Sequence, residues 1–460
     1  MTLIKSISGI RGTIGGVAGE NLTPIDVVRF VSGYAAWLGE KTGGGKRLKV
    51  VVGRDARVSG EMLERLVEGT LMGCGADVIA LGLCTTPGVE MAVAARGADG
   101  GIIITASHNP AEWNALKMLD GNGEFVSAAD GARILELAAG SEIVYPPVDG
   151  LGHVVERGNY DDEHIDAVLA LPLVDVGAVA ARGLRVVVDA VNSVGGVVIP
   201  RLLERMGVEA MCINCEPTGR FAHDAEPLPE NLRELSRRVV AERADLGVAV
   251  DPDVDRLALV CEDGTMFGEE YTLVAVADYV LRAHGGGNTV SNLSSTRALR
   301  DVTAWHGGSY TASAVGEVNV VAAMKTTDAV IGGEGNGGVI YPELHYGRDA
   351  LVGLALFLTW LAHSGLKMTE LRATYPEYHM AKTKIVPDAG SEPDRLLAAL
   401  AERYSALAPD LTDGVKIEFP DSWAHIRRSN TEPIMRIYTE APTPEEAQAL
   451  AARIASEINR

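Results

Sequence analysis

Ser107 lies in Thr105-Ala106-Ser107-His108-Asn109-Pro110, directly after the β-branched run Ile102-Ile103-Ile104. Such a run reads as a buried strand. Pro110 lacks an N–H and pushes Asn109 out of helical geometry, so the strand must end in a tight loop. Ser107 therefore sits where α/β proteins place ligands, beyond the carboxyl end of a strand, the other reading being a polar turn with a solvated serine. His108 and Asn109 add hydrogen-bonding groups, and Lys117 adds a cation.

A second constellation, Asp251-Pro252-Asp253-Val254-Asp255-Arg256, follows the apolar stretch Leu246–Val250. Carboxylates at i, i+2 and i+4 share one side of an extended segment. They repel unless a cation joins them, and oxygen ligands of this kind suit Mg²⁺. An EF-hand loop would place Glu262 at its twelfth position. It would also need glycine where Arg256 stands, and Leu257-Ala258-Leu259-Val260 reads as a strand. A dehalogenase-type nucleophile motif does not fit Asp255 as its fifth residue. A third constellation, Arg427-Arg428-Ser429-Asn430-Thr431-Glu432-Pro433, offers two guanidiniums and two hydroxyls, the makings of a phosphate clamp.

Gly332-Gly333-Glu334-Gly335-Asn336-Gly337-Gly338 formally contains a dinucleotide fingerprint. That motif requires a helix next, and Val339-Ile340-Tyr341-Pro342 continues as strand instead. Gly45-Lys46 is followed by Arg47, so no Walker A loop is present. Cys212 and Cys215 form a single C-x-x-C with no second pair to complete a zinc site.

The elements that must hold these groups alternate between strand and helix. Thr23-Pro24 predicts a helix start, Lys49–Val52 a strand, and Ser59 the cap of the next helix. Leu184–Asp189 repeats the strand-then-aspartate pattern of Leu48–Asp55. Tyr145–Gly150 reads as a linker. The alternation predicts a mostly parallel sheet covered on both faces. After Tyr375-Pro376 the character changes to α+β, with strands near 382–386 and 415–419 and helices near 393–404 and 445–458.

The chain has 460 residues, 47% of them hydrophobic, and a net charge of −21. That acidity opposes nucleic-acid and anionic-membrane partners. No apolar run approaches the roughly twenty residues of a membrane helix. No signal-type segment opens the chain, and five scattered cysteines suit a reducing cytoplasm. Cations for an anionic ligand must therefore be gathered locally.

With Asn114 and Lys117, the TASHNP loop resembles the active-site serine loop of the α-D-phosphohexomutases. The acidic segment resembles that family's DGDGDR metal loop, with Pro252 and Val254 in place of both glycines. Gly333–Gly337 resembles its sugar-binding loop, with Asn336 for serine. The arginine-rich stretch resembles its phosphate loop, with Asn430 for glycine. The four motifs occur in family order over roughly residues 5 to 440.

The resemblance implies a four-domain phosphohexomutase architecture. Three similar mixed α/β domains (1–150, 151–257 and 258–374) and a C-terminal α+β domain (375–460) would surround a central cleft. It implies a phosphosugar mutase, an intramolecular phosphotransferase that passes its phosphoryl group from Ser107 to a hexose phosphate and back through a hexose 1,6-bisphosphate. Ser107, Asp251, Asp253 and Asp255 would hold Mg²⁺. Arg11, His108, Lys117 and Arg256 would serve the transfer. Gly316, Glu317, Glu334 and Asn336 would meet the sugar, and Arg427, Ser429, Asn430 and Thr431 the non-reacting phosphate. Glu317 could pair the 2-ammonium of glucosamine phosphate, pointing to a phosphoglucosamine mutase. Phosphomannomutase or phosphoglucomutase activity is the alternative. From other classes, a metal-dependent sugar phosphatase and a non-catalytic sugar-phosphate binding protein are carried as further readings. A monomer or homodimer is expected.

Overall fold

Val50-Val51-Val52 and Ile102-Ile103-Ile104 are apolar at every residue, the composition of strands buried on both faces. In the computed structural model, which describes residues 2–6, 9–140, 143–386, 392–429 and 434–458, all six are fully buried. Successive residues point to opposite faces of a strand. Accordingly Val50, Val52, Ile102 and Ile104 join one hydrophobic core, while Val51 and Ile103 join another. The chain forms two compact units, Met1–Thr272 with Asn336–Thr369, and Leu273–Gly335 with Glu370–Arg460.

The first unit contains a seven-stranded sheet made of β1 (Ile4–Ser6), β2 (Gly9–Thr13), β3 (Lys49–Arg54), β4 (Asp77–Leu83), β5 (Gly100–Ile104), β6 (Trp113–Leu119) and β7 (Val154–Arg157). Their order is β1-β2-β6-β5-β3-β4-β7. Strands β5, β3, β4 and β7 run parallel, with the helices Gly60–Gly73 and Thr86–Ala95 as crossovers. The sheet is not mostly parallel as expected. Strand β6 turns back antiparallel on β5, and β2 and β1 continue the antiparallel side. The loop from β5 to β6 is too short for a crossover, which takes a dozen or more residues, so the strand can only return beside its neighbour. That return sets Lys117 opposite Ile103, and β2 then sets Arg11 opposite Ala115.

A second sheet follows, of β8 (Arg185–Asp189), β9 (Glu209–Ile213), β10 (Leu246–Val250) and β11 (Leu257–Cys261), in the order β11-β10-β8-β9. Here too the first three are parallel and β11 returns antiparallel to β10. The serine loop and the acidic segment are thus the same kind of turn in two sheets.

In the second unit, β12 (Asn288–Asn292) pairs in parallel with β13 (Ser309–Ser313) and β14 (Ala329–Glu334). The short strand β15 (Gly338–Ile340) and the buried helix Ala350–Ser364 belong to the first unit. The C-terminal sheet is antiparallel, β16 (His379–Ile385), β17 (Val415–Glu418), β18 (Trp423–Arg428) and β19 (Met435–Ala441), in the order β16-β19-β18-β17. The helices Pro393–Arg403 and Pro444–Ile458 supply Leu397, Leu400, Leu450 and Ile454 to its core. No helix among the described residues is long and apolar enough to cross a membrane.

Local chemistry explains most boundaries. The helix Pro24–Lys41 begins where Thr23-Pro24 predicts, with Asp26 Oδ2 accepting the Thr23 N–H at 3.1 Å. Ser59 does not cap the helix Gly60–Gly73. Its backbone is already helical, and its hydroxyl accepts from Asn114 Nδ2 at 2.9 Å. Gly100 is required by close approach, since a Cβ there would lie 2.1 Å from Tyr34 Oη. The buried Tyr34 hydroxyl donates to Leu119 O at 2.6 Å and lies 3.1 Å from Gly101 O, tying a helix to the β5–β6 pair.

In the second unit, Arg297 Nη2 donates to Glu418 Oε2 (2.6 Å) and to the carbonyl of Ser422 (3.1 Å), and its N–H to Glu440 Oε1 (3.1 Å). His425 lies on β18 with its Nε2 2.6 Å from the Asp413 carbonyl and its Nδ1 2.8 Å from Ser294 Oγ. A carbonyl can only accept, so Nε2 carries the proton and Nδ1 accepts from the serine. Burial holds this imidazole down to about 4.

Tyr34→Phe should cost about 1–2 kcal/mol, the loss of a buried hydrogen bond, read as a lower urea midpoint at unchanged slope. For His425 the folded value of about 4 lies below the ordinary 6.5, so the unfolded chain binds the extra proton between the two. Stability from this group is complete above 6.5 and lost as pH falls toward about 4, by up to roughly 1.4 kcal/mol per pH unit. Urea unfolding followed downward from neutral pH should show that fall, and His425→Gln should flatten it.

Candidate active site

The loop after β5 places Ser107 at 7% exposure with a left-handed backbone, φ 49°. Its N–H donates to Thr105 Oγ1 at 2.9 Å, and its hydroxyl donates to Asp251 Oδ2 at 2.8 Å. The two predicted loops therefore meet within the first unit, at the atom that would react.

All three aspartates of the acidic turn are fully buried. Asp251 Oδ1 accepts the N–H groups of Asp255 and Arg256, both at 3.2 Å. Asp253 Oδ2 accepts from Lys117 Nζ at 2.8 Å and from Thr86 Oγ1 at 2.6 Å. Asp255 Oδ2 pairs with Arg348 Nη2. Asp253 Oδ1 and Asp255 Oδ1 are buried with no hydrogen-bond partner among the described residues. One oxygen from each of the three carboxylates lies within 4.8 Å of the others. Buried carboxylate oxygens without donors are costly unless a cation meets them. The donor set, all carboxylate oxygen, fits a hard divalent cation.

Val254 answers the question raised by the missing glycines. It adopts φ 64°, a glycine-type conformation that a β-branched residue rarely takes. Its N–H donates to Asp251 O at 3.1 Å and its carbonyl accepts Ala350 N at 3.2 Å, so both neighbours hold the strained turn in place.

The electrostatics follow from burial and crowding. Burial, then Asp255 and Asp253, pushes the Asp251 carboxyl well above the usual carboxylate range. Burial would raise Asp253 as well, but the Lys117 ammonium outweighs it and holds the carboxyl below its ordinary value. Burial would lower Lys117, yet Asp253 and Asp255 raise it overall. Arg11 stands on β2, where burial and then Arg256 lower its guanidinium. Arg256, then burial, then Arg11 and Arg348 depress His108 far below the usual imidazole range, leaving it neutral. Arg256 itself lies 3.9 Å from Asp255 Oδ1 and 3.6 Å from Glu226 Oε1.

Sequence reasoning missed four contributors. Arg57 and Thr86 each stand three residues past a strand end, and Arg57 follows Asp55 at a spacing that gives no warning of its reach. Thr105 was read only as part of the turn. Arg348, far from Asp255 in the chain, carries no sequence sign of that partner. The next residue, Asp349, caps the helix Ala350–Ser364 and accepts from His164 Nε2 at 2.7 Å.

The remaining predicted groups belong to the second unit, except Asn336. Glu334 Oε1 accepts from Asn292 Nδ2 at 2.8 Å and from the Gly316 N–H at 3.1 Å. Glu317 opens the helix Glu317–Thr327 at 9% exposure. The preceding Val315 N–H donates to Asp413 Oδ2 at 3.0 Å, and Arg427 Nη1 lies 3.8 Å from the same oxygen. Arg428 turns away to Asp394 at 3.0 Å. The Ser429 N–H donates to Ile434 O at 2.9 Å. Asn430 and Thr431 lie outside the described residues. Asn336, in the first unit, accepts the Gly338 N–H at 3.2 Å. The glycine-rich stretch runs from strand to strand, so the dinucleotide fingerprint has no helix to open.

Four family descriptions match the chain in succession. They are phosphoglucomutase/phosphomannomutase alpha/beta/alpha domain I over residues 4–142, domain II over 162–264, domain III over 268–378, and the C-terminal domain over 385–457. A phosphoglucomutase/phosphomannomutase of Thermococcus kodakarensis is 37% identical over 95% of each chain. A "Probable phosphoglucosamine mutase" of Methanopyrus kandleri is 36% identical over 98% of this chain and 97% of its own. The crystal structure of a phosphoglucomutase/phosphomannomutase family protein from Burkholderia thailandensis superposes with a TM-score of 0.83 at 27% identity, over 98% of this chain and 94% of that one. A buried serine set against an acidic turn, in a chain matched by all four domain descriptions, leads to one assignment: this chain belongs to the phosphoglucomutase/phosphomannomutase family.

Proposed function

We propose that this phosphohexomutase interconverts the 1- and 6-phosphates of a hexosamine, with Ser107 as the phosphoryl carrier. The observation that carries the reading is the 2.8 Å contact of Ser107 Oγ with an acidic turn whose outer oxygens lack donors. In each half-reaction the bond from phosphorus to one oxygen breaks and a bond to another forms. The phosphoryl group passes from Ser107 to the free sugar hydroxyl, and the hexose 1,6-bisphosphate then reorients and returns its other phosphoryl group. Such transfer is mainly positioning and charge neutralisation.

Asp251, Asp253 and Asp255, with the Ser107 phosphate, would hold Mg²⁺. When bound, that ion neutralises charge on the transferring group. Lys117 and Arg256 add fixed positive charge beside it, and Arg11 extends that charge along the sheet. His108, which its three arginine neighbours keep from taking up a proton, would serve beside Ser107 as a neutral hydrogen-bonding group. Arg427 and Ser429, with Asn430 and Thr431, would bind the non-reacting phosphate, while Glu334, Asn336 and Gly316 would hold sugar hydroxyls. The domain limits near 150, 257 and 374 go with this reading. Five free cysteines suit the reducing cytoplasm.

Glu317 supports the amino sugar, since a buried carboxylate at a helix start can pair the 2-ammonium group. Relatives named for phosphoglucosamine support it too, whereas the Thermococcus relative named for glucose and mannose phosphates supports a neutral hexose.

Phosphopeptide mapping after priming with hexose 1,6-bisphosphate should place the phosphate on Ser107, and Ser107→Ala should abolish turnover in a folded protein. Activity surviving both chelation and Asp253→Asn would exclude the metal role. Assayed with glucosamine, glucose and mannose phosphates under matched conditions, the enzyme should prefer glucosamine phosphate. Glu317→Gln should weaken that preference by about 1–3 kcal/mol, the loss of one charged partner. A parent enzyme that ranks a neutral hexose first would overturn the amino-sugar reading.

A further inference from the structure

Asp55-Ala56-Arg57, the turn that leaves β3, contacts both functional loops, and no role has been assigned to it above. The Arg57 side chain is fully buried. Its Nη2 donates to the carbonyls of Ser107 and Asn109, each at 2.6 Å. Its Nη1 donates to Pro110 O at 2.6 Å and Trp113 O at 3.0 Å, and its Nε to Asp55 Oδ2 at 3.0 Å. A guanidinium has five N–H donors, and every one is used here. The same Asp55 Oδ2 accepts from Thr105 Oγ1 at 2.6 Å, and Thr105 Oγ1 in turn accepts the Ser107 N–H at 2.9 Å. On the other side, the Ala56 N–H donates to Ser193 Oγ at 3.3 Å, and Ser193 Oγ donates to Pro252 O, inside the acidic turn, at 2.7 Å.

We propose that Asp55–Arg57 is a positioning device for the phosphoryl transfer, with Arg57 fixing the serine loop and Ser193 fixing the acidic turn to the same three residues. The proposal rests on the assignment of Ser107 as carrier. Three features distinguish it from ordinary fold support. Arg57 grips the carbonyl of the reacting residue itself. That residue holds a left-handed backbone, which unsupported serine leaves readily. Finally, four of the five Arg57 donors go to carbonyls of the serine loop and β6 and the fifth to Asp55, so the guanidinium acts on the loop and leaves phosphate and sugar binding to other groups. Losing it should therefore lower kcat and spare KM. Lysine cannot substitute, because it offers a point charge with three donors where five fixed directions are needed.

The test uses the full chain, primed with hexose 1,6-bisphosphate, as parent, Arg57→Lys, Arg57→Ala and Ser193→Ala. Four quantities are read: phosphate on Ser107 by intact mass and peptide mapping, lifetime of the phosphoserine in water without sugar, kcat with KM, and melting temperature. A displacement near 1 Å at a reacting atom can cost ~10²-fold, so Arg57→Lys should lose about that factor in kcat with KM within ~3-fold. Ser193→Ala should lose ~10-fold in kcat with little change in melting temperature. Added guanidinium ion should restore part of the Arg57→Ala loss and none of the parent rate. The phosphoserine lifetime should change in both Arg57 variants, since the loop that presents it has shifted. Folded variants with parental kcat and phosphoserine lifetime, in a parent that does carry phosphate on Ser107, would overturn the positioning role alone. A parent phosphorylated elsewhere would overturn the carrier assignment and this proposal together. Should Arg57→Lys fail to fold, Ser193→Ala decides the matter by the same readings.

Discussion

Three carboxylates buried side by side without water are the constraint from which the first unit's site is built. Each ionised oxygen removed from water must meet a donor or a cation, and the chain meets the inner oxygens with a different element for each carboxylate. Strand β6 brings Lys117, the helix Thr86–Ala95 brings Thr86, and the segment before Ala350 brings Arg348. The backbone of the turn itself serves Asp251. With one face satisfied in this way, the outer oxygens of Asp253 and Asp255 remain to be filled from outside. The net acidity of −21 is no obstacle, because the relevant field is set by a few cations held at short range.

The architecture meets that constraint by one repeated device. In both sheets of the first unit a parallel strand ends in the functional turn, and the chain returns beside it antiparallel. A right-handed crossover would have carried the chain to the far face of the sheet. The return keeps it at the carboxyl edge, where Lys117 and Arg11 are added by register alone.

Much of this was legible in the sequence. Apolar runs followed by Ser107 and Asp251 marked two strand ends, Pro110 marked the first as a tight turn, and Arg256 in place of glycine set the second apart from an EF-hand. The C-terminal unit was half legible. Strands β16 and β17 and the two helices were readable, whereas β18 and β19 were not, because polar His425, Arg427, Arg436 and Tyr438 are interspersed among their apolar residues and resemble a solvated loop, although His425 is in fact buried. Parallel versus antiparallel direction in the first sheet was misread because hydrophobicity carries no information about which way the next strand runs. Arg57 and Arg348 were invisible as site residues. Their partners are carbonyls and a carboxylate far away in the chain, and a lone arginine after a turn gives no sign of where it will reach.

Asp413 is shared between two tasks. One of its oxygens accepts the Val315 N–H, at the head of the segment carrying Gly316 and Glu317, and lies 3.8 Å from Arg427 Nη1. Its carbonyl orients His425, which in turn accepts from Ser294. On the roles proposed for Arg427 and for Gly316–Glu317, an anion that drew Arg427 from Asp413 would also act on the segment whose Val315 N–H that oxygen holds. Any coupling that Asp413 carries would, by reciprocity, be equal in free energy in both directions. A substitution at Asp413 would accordingly disturb both of those proposed subsites at once, through one carboxylate oxygen.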